Sequence, residues 1–302
     1  MSSASSSQTL SFLKRRFEEA GIRPRTKYGQ NFLIDLNLLR VLVETAELGP
    51  DDVVLEVGTG TGSLTAQMAA VAAAVVTVEI DAQMFQLASE ELIDCPNVTM
   101  LRTDALRNKN RLSPAVLEAV AGRLQEAPGR RWKLVANLPY NIATPLISNL
   151  LALDSPPQTM TVTIQRELAE RIVAPAGAKD YGALSVWVQS QCQVRIVRLL
   201  PAAVFWPRPQ VESAFLHVAL DPQLRGRIAD RKFFHEFVRA MFFHRRKLLR
   251  SELLSAFKHR LDKPGVDRLL AEQGFDPTVR AERLDVAALL RLCDAVRAAV
   301  GG

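Results

Sequence analysis

The spacing of hydrophobic positions changes along the chain. Short apolar runs rich in β-branched residues occur at Asp52–Val57, Ala74–Val78, Val98–Arg102, Trp132–Ala136 and Thr159–Gln165. Each has the length and composition of a buried strand. Between them the apolar positions recur at helical spacing. Helices are predicted from Ser63 to about Ala72, from Ala82 to Ile93 and from Ala143 to Leu153, the last ended by Pro156-Pro157. Residues Arg107 to Arg130 are polar, with one helical patch from Pro114 to Gln125, and read as a surface connection. Strands alternating with helices predict an open α/β sheet.

The flanks differ. Thr9–Ala20 is predicted as a short basic helix, and Asp35 as the N-cap of a helix from Leu36 to about Leu48. Between them, Pro24 and Gly29 make Arg23–Leu33 irregular, yet Phe32, Leu33 and Ile34 are too apolar for a solvated connector. Beyond the fifth strand come a helix at Arg166–Val173, a Gly/Pro/Lys loop at Ala174–Tyr181 expected to be mobile or to meet a substrate, and a helix at Gly182–Gln189. Strands at Cys192–Leu199 and Glu212–Leu220 flank Phe205-Trp206-Pro207-Arg208-Pro209, whose prolines exclude helix. After Asp221-Pro222 only helices are predicted: Arg231–His244, Arg246–His259, Gly265–Gln273 and Arg283–Val300. The expected division is a disordered tail and basic helix at 1–24, an α/β domain at 25–220 and a helical domain at 221–302.

Composition narrows the class. The chain has 302 residues, 48% of them hydrophobic, enough for a sizeable core. No apolar run approaches the roughly 20 residues of a membrane span. The Ser-rich start, Met1 to Gln8, lacks the apolar centre of a secretory signal. Cys95, Cys192 and Cys293 are too scattered for a disulfide framework or a zinc site, so no metal and a cytoplasmic location are expected. Net charge is +6, with basic residues crowded at Lys14–Lys27 and Arg231–Arg260. That distribution suits a polyanionic partner. There are no heptads or large apolar stripes, so a monomer is expected.

Candidate chemistry lies at the strand ends, where open α/β sheets hold ligands. Glu56-Val57-Gly58-Thr59-Gly60-Thr61-Gly62 joins the first strand to a helix. Its alternating glycines fit neither the dinucleotide fingerprint nor a P-loop. An acidic residue before alternating glycines is instead the pattern of S-adenosylmethionine (SAM) sites. Glu79 stands at the second strand end, about 20 residues after the glycines, where a carboxylate can receive a ribose diol. Asp81 is assigned to cap the next helix. Asp104, at the third strand end, could accept from an adenine amine. Asn137-Leu138-Pro139-Tyr140 follows the fourth strand. Pro139 keeps Leu138 extended, and the segment offers an amide, backbone carbonyls and an aromatic face to a flat base.

Together these landmarks resemble the ribosomal RNA small-subunit adenine dimethyltransferases of the bacterial KsgA type. The matching segments are Gly29–Leu33, Glu56–Gly62, Glu79–Asp81, Asp104-Ala105, Asn137–Ile142, Lys179–Gly182, Phe205–Pro209 and Arg245-Arg246-Lys247. They keep the family's order from about Arg25 to Leu254. The resemblance implies a Rossmann-like class I SAM-methyltransferase sheet of seven mostly parallel strands with a small all-helical C-terminal domain. It implies N6,N6-dimethylation of two adjacent adenosines near the 3′ end of 16S rRNA, with that RNA or an immature small ribosomal subunit as partner. By position, Asn31, Leu33, Gly58, Glu79, Asp104 and Asn137 would contact SAM. Asn137 and Leu138 would hold the target amine, and Tyr140, with Phe205 opposite, would stack on the extruded base. Arg23, Arg25, Lys27, Arg245, Arg246, Lys247 and Arg250 would contact RNA, the last four from one basic helix.

The chain departs from the family pattern at Gln210, His244 and Ser251, all in segments expected to face RNA or the domain junction. A macrolide-resistance methylase of large-subunit rRNA would share the core. So would a DNA adenine methylase, though no DNA-target domain is recognisable. A binding protein that had lost the chemistry would have no need of Glu56, Glu79, Asp104 and Asn137.

Overall fold

The structure, a computed structural model, describes residues 10–19, 21–22, 29–244 and 247–301. The Ser-rich start therefore lies outside the described residues. The chain forms two compact units, one of Met1–Ala169 with Arg195–Ala219, the other of Glu170–Val194 with Leu220–Gly302. The second begins again at Leu220 and also takes in Glu170–Val194, a segment that the expected division leaves with the first.

In the first unit α1 (Leu10–Glu19) buries Leu13 and Phe17, which cluster with Ile22, Phe32, Met84 and Leu87. The two-residue β1 (Phe32–Leu33) leads into α2 (Leu36–Thr45). Asp35 caps that helix, accepting from the N–H groups of Asn37 and Leu38, as its position before the apolar run predicts. Next come β2 (Asp52–Val57), α3 (Ser63–Ala69), β3 (Ala74–Val78), α4 (Ala82–Glu91) and β4 (Val98–Leu101). A hairpin of β5 (Leu106–Asn108) and β6 (Arg111–Leu112) precedes α5 (Pro114–Gln125). Then follow β7 (Arg131–Asn137), α6 (Ala143–Ala152), β8 (Thr159–Gln165) and α7 (Arg166–Val173). After α8 (Ala183–Gln189), which belongs to the second unit, the strands β9 (Cys192–Leu200), β10 (Phe205–Trp206) and β11 (Ser213–Leu220) end the β-containing part.

Seven strands form one sheet in the order β4-β3-β2-β7-β8-β11-β9. The pairs from β4 to β8 are parallel, and β11 runs antiparallel to β8. The central strands are buried on both faces, which is why they read as continuous apolar runs. Burying each Val or Leu there contributes about 1.5–3 kcal/mol. Val53, Val54, Val75, Val76, Leu134 and Val135 are among those most completely enclosed.

At the amino ends of β2 and β7 a buried ion pair stands in this core. Lys133 Nζ lies 2.9 Å from Asp52 Oδ2 and donates to the carbonyls of Glu47 at 2.7 Å and Ala46 at 3.2 Å. Glu47 has φ 49, a left-handed conformation unusual for a residue other than glycine.

In the second unit α9 (Pro222–Gly226), α10 (Arg231–Met241), α11 (Leu249–Ala256), α12 (Lys263–Glu272) and α13 (Val286–Ala299) follow the strands. Phe234, Phe237, Val238 and Met241 of α10 are buried, as are Leu289, Leu292 and Val296 of α13. The Ala174–Tyr181 loop, expected to be mobile or to meet a substrate, is tied down. Gly177 N–H donates to Glu282 O at 2.8 Å, and the buried Tyr181 hydroxyl to Leu284 O at 3.1 Å. The expected basic helix is also interrupted. α10 stops at Met241, Lys247 lies in a bend, and α11 starts only at Leu249, whose N–H donates to Val279 O at 2.8 Å.

Candidate functional site

Because β4, β3, β2 and β7 are parallel, their carboxyl ends lie along one edge of the sheet. Gly58 follows β2, Glu79 follows β3, Asp104 follows β4, and Asn137 closes β7. All four line one cleft with Asn31, Phe32, Gly60, Ile80, Leu138, Pro139 and Ile142. Its empty volume is about 600 Å³, open solvent at the mouth included, within the range of small-molecule sites.

The glycine turn is shaped by hydrogen bonds and by contact with the Asn137–Tyr140 segment. Gly58 N–H donates to Val78 O at 2.8 Å, with φ at 89. A Cβ on Gly58 would sit 3.3 Å from Pro139 Cδ. Only a glycine meets both demands, the positive φ and the close approach.

Glu56, the acid before the glycines, does not reach the cleft. It is buried, and its Oε2 accepts from the hydroxyls of Thr65 at 2.5 Å and Thr77 at 2.6 Å. Burial pushes its carboxyl up to about 8, against the pull of the two hydroxyls. Thr77 also meets the Thr59 hydroxyl at 2.6 Å. Glu56 thus ties the glycine turn to β3 and α3 from beneath.

Glu79 faces the cleft. Its Oε2 accepts from Gly60 N–H at 3.1 Å and its Oε1 from Asp81 N–H at 2.9 Å. An ionised carboxylate has about four acceptor positions, so capacity remains for a hydroxyl of a ligand. Burial raises its pKa. Asp81 caps α4, accepting from Gln83 N–H at 2.9 Å. Asp104 Oδ1 accepts from Leu106 N–H at 2.8 Å, while the residue as a whole is exposed on the cleft wall.

The amide of Asn137 carries the clearest polarity. Its Nδ2 donates to the Asn31 carbonyl at 2.8 Å, and its Oδ1 is buried with no hydrogen-bond partner. A buried acceptor left unpaired costs about 1–3 kcal/mol, so it marks a place where a ligand donor belongs. Leu138 N–H donates to Thr163 O at 3.1 Å, which holds the segment extended against β8. The Tyr140 hydroxyl is 2.6 Å from Ser213 Oγ, and burial raises its pKa. Tyr140 is half-buried beside the cleft rather than among its lining residues.

Besides Tyr140, two more expected residues do not line the cleft. Leu33 pairs with Phe205 across β1 and β10, and both side chains lie in the core with Leu200 and Phe215. Phe205 is 2% exposed, so its place here is packing and not a base-stacking face. Sequence reasoning also missed some lining residues. Phe32 is held by Phe17, ring centroids 5.3 Å apart, and Ile80 is 45% exposed beside Glu79. An apolar residue set between the strand-end Glu79 and the helix-capping Asp81 is the signal that could have found Ile80.

Of the expected RNA contacts, Arg23, Arg25, Lys27, Arg245 and Arg246 lie outside the described residues. Lys247 is exposed. Arg250 is already paired, with Nη2 2.8 Å from Asp267 Oδ2. Gln210, His244 and Ser251 are all exposed, and His244 Nδ1 lies 3.4 Å from the buried Glu252 Oε1. Among the described residues no group of three or more His, Cys, Asp or Glu could hold a metal ion, and no helix is long and apolar enough to cross a membrane.

Taken together, the cleft offers a carboxylate pair for hydroxyls and amines, apolar walls for a flat ring, and an unpaired amide oxygen. Known proteins are similar to this chain in sequence and in fold. The family model described as Ribosomal RNA adenine dimethylase matches residues 21–292. A protein named Ribosomal RNA small subunit methyltransferase A from Moorella thermoacetica is 39% identical over 267 residues, covering 88% of this chain and 90% of the relative. Its namesake from Bacillus mycoides is 37% identical over 282 residues, covering 92% and 93%. Among solved structures, a dimethyladenosine transferase from Plasmodium falciparum superposes with a TM-score of 0.70 at 23% identity, covering 85% of this chain and 94% of that one. The 23S rRNA methyltransferase ErmE gives a TM-score of 0.61 at 24% identity, covering 87% and 98%. These two share the fold. The family match spans nearly the whole chain, and this protein belongs to the ribosomal RNA adenine dimethylase family.

Proposed function

We propose that this protein dimethylates, at N6, two adjacent adenosines near the 3′ end of 16S rRNA, using SAM, during small-subunit biogenesis in the cytoplasm. Family membership and relatives named for small-subunit rRNA methylation support the reading. The observation that carries it is the buried, unpaired Asn137 Oδ1 in the cleft.

The residues fit SAM on three observations of the cleft. Gly58, at positive φ and packed against Pro139, lines the cleft with bare backbone. Glu79 keeps acceptor capacity for a ribose diol, and Asp104 stands where an adenine amine can donate. Asn31 and Ile80 complete the walls. When bound, SAM supplies the methyl group as an activated sulfonium.

The chain's own work is positioning. An adenine amine is a weak nucleophile because its lone pair is delocalised into the ring. With Asn137 Oδ1 and the Leu138 carbonyl accepting the two N–H bonds, that lone pair turns towards the methyl donor. Fixed dipoles and alignment, not a strong base, then lower the barrier. The adenosine must leave its stack, and Tyr140 offers it a ring whose hydroxyl Ser213 holds in place. Lys247 and the basic segments around Arg23–Lys27 and Arg245-Arg246 supply phosphate contacts to the RNA or the immature subunit. The protein acts as a monomer.

The test is methyl transfer from labelled SAM to purified small-subunit and large-subunit rRNA. Label confined to dimethyladenosine in the small-subunit RNA supports the reading. Label confined to large-subunit RNA would assign the protein to the macrolide-resistance class instead.

A further inference from the structure

The stretch that reads in sequence as a plain surface connection is a built hairpin. Leu106 of β5 faces Leu112 of β6, and both are buried, so the hairpin is anchored at its base. Ser113 N–H donates to Ala105 O at 2.9 Å and closes that base. Asn108 Oδ1 accepts from Asn110 N–H at 2.9 Å and shapes the tip. Asn149 of α6 donates to Lys109 O at 3.2 Å, tying the tip to the helix that follows Asn137–Tyr140. At the other end Leu106 N–H is held by Asp104, so the hairpin grows directly out of the cleft wall.

Three of its residues, Arg107, Lys109 and Arg111, are exposed cations. None forms an ion pair with a described residue. Elsewhere in the same unit the half-buried Arg123 and Arg130 share Glu126 at 3.0 and 2.6 Å. No acid occurs between Asp104 and Glu118. An ordinary solvated face mixes the two signs, and this one does not. With a rise of about 3.4 Å per residue, the tip stands roughly 10–15 Å from Asp104.

We infer that this hairpin is a phosphate-contact surface for the RNA strand carrying the target adenosine, gripping nucleotides that flank the one held in the cleft. The inference rests on the function proposed above. A cleft that receives an extruded base needs its neighbours fixed, and uncompensated cations on a short, tethered hairpin do that without reading sequence. An acidic protein segment is the competing occupant, and the salt dependence of RNA binding separates the two.

The experiment compares wild type with Arg107→Gln/Lys109→Gln/Arg111→Gln and with the charge-keeping Arg107→Lys/Arg111→Lys. Binding of a 3′-terminal fragment of small-subunit rRNA is measured across salt concentrations. SAM affinity, measured alongside, reports an intact cleft. Each lost contact to single-stranded RNA lowers the slope of log affinity against log salt by about 0.7, so the neutralised variant should lose about 2. The charge-keeping variant should hold the wild-type slope, and single neutralisations should each lose a third of the effect. An unchanged slope in the neutralised variant, with wild type binding the RNA, overturns the hairpin inference and leaves the proposed function standing. Wild type that neither binds nor methylates this RNA overturns both.

Discussion

Asn137 Nδ2 donates to the Asn31 carbonyl at 2.8 Å, and this bond decides which way the amide faces. With the nitrogen committed, Oδ1 is the atom presented to the cleft, buried and without a partner. Asn31 lies in the Gly29–Leu33 segment far upstream in the chain, so that segment orients the acceptor that the chemistry needs.

The first expectation follows. Asn137→Ala removes the acceptor and leaves the glycine turn, Glu79 and Asp104 in place. Turnover should fall about 10²–10³-fold, the usual cost of losing one preorganised hydrogen-bonding group. SAM affinity, read by calorimetry, should change only a few-fold. Near wild-type turnover would remove Asn137 from its role.

Tyr140 separates ring from hydroxyl. Tyr140→Phe loses the 2.6 Å contact with Ser213 and keeps the aromatic face. Tyr140→Ala loses both. If the ring holds the extruded base, Ala should weaken capture by about 1–3 kcal/mol, seen in kcat/KM at limiting RNA, while Phe stays within a few-fold. Equal losses in the two variants would mean that the hydroxyl tether matters and stacking does not.

Glu56 gives a pH signature. Burial holds its carboxyl at about 8 in the folded chain against 4.5 for a free glutamate. Its folded pKa is raised, so its contribution is fully present below 4.5 and is lost as pH rises through about 8. Glu56→Gln keeps the shape and cannot ionise. Thermal melts between pH 5 and 8.5 should show wild type losing stability with rising pH and the variant losing less. Parallel curves would contradict the assignment. Activity should follow only through stability, because Glu56 does not line the cleft.

Lys133 is a structural partner at the opposite ends of the strands. Lys133→Met leaves the buried Asp52 carboxylate without its closest cation, 2.9 Å away in the native chain. Loss of one partner of a buried pair costs about 3–5 kcal/mol. Denaturant unfolding should show that loss, and adding Asp52→Asn should recover part of it. A midpoint unchanged in Lys133→Met would mean that Arg131, 3.3 Å from the other Asp52 oxygen, carries the charge alone.

The sheet was legible because β2, β3, β7 and β8 are buried on both faces and so appear as unbroken apolar runs. The strand-end acids and glycines were legible because parallel topology puts every carboxyl end on one edge. What failed depends on partners distant in sequence. Phe32 and Leu33 find their place only by pairing with Trp206 and Phe205. That pairing buries Phe205, whose composition fits a core and a stacking face equally well. The hairpin at Leu106–Leu112 has just two apolar anchors and a polar span, too little for a period. Nothing between Phe242 and Leu248 breaks a helix by type, for neither Gly nor Pro occurs there. The break is accompanied by Leu249 N–H turning to Val279, a contact no local pattern announces.

The central claim is that the cleft around Asn137 places two methyl groups on each of two adjacent small-subunit adenosines. Mass spectrometry of small-subunit rRNA from cells with and without this protein reads that product directly. The 3′-terminal fragment should carry dimethyladenosine when the protein is present and unmodified adenosine when it is removed. Dimethyladenosine at the same level in both samples would contradict the account.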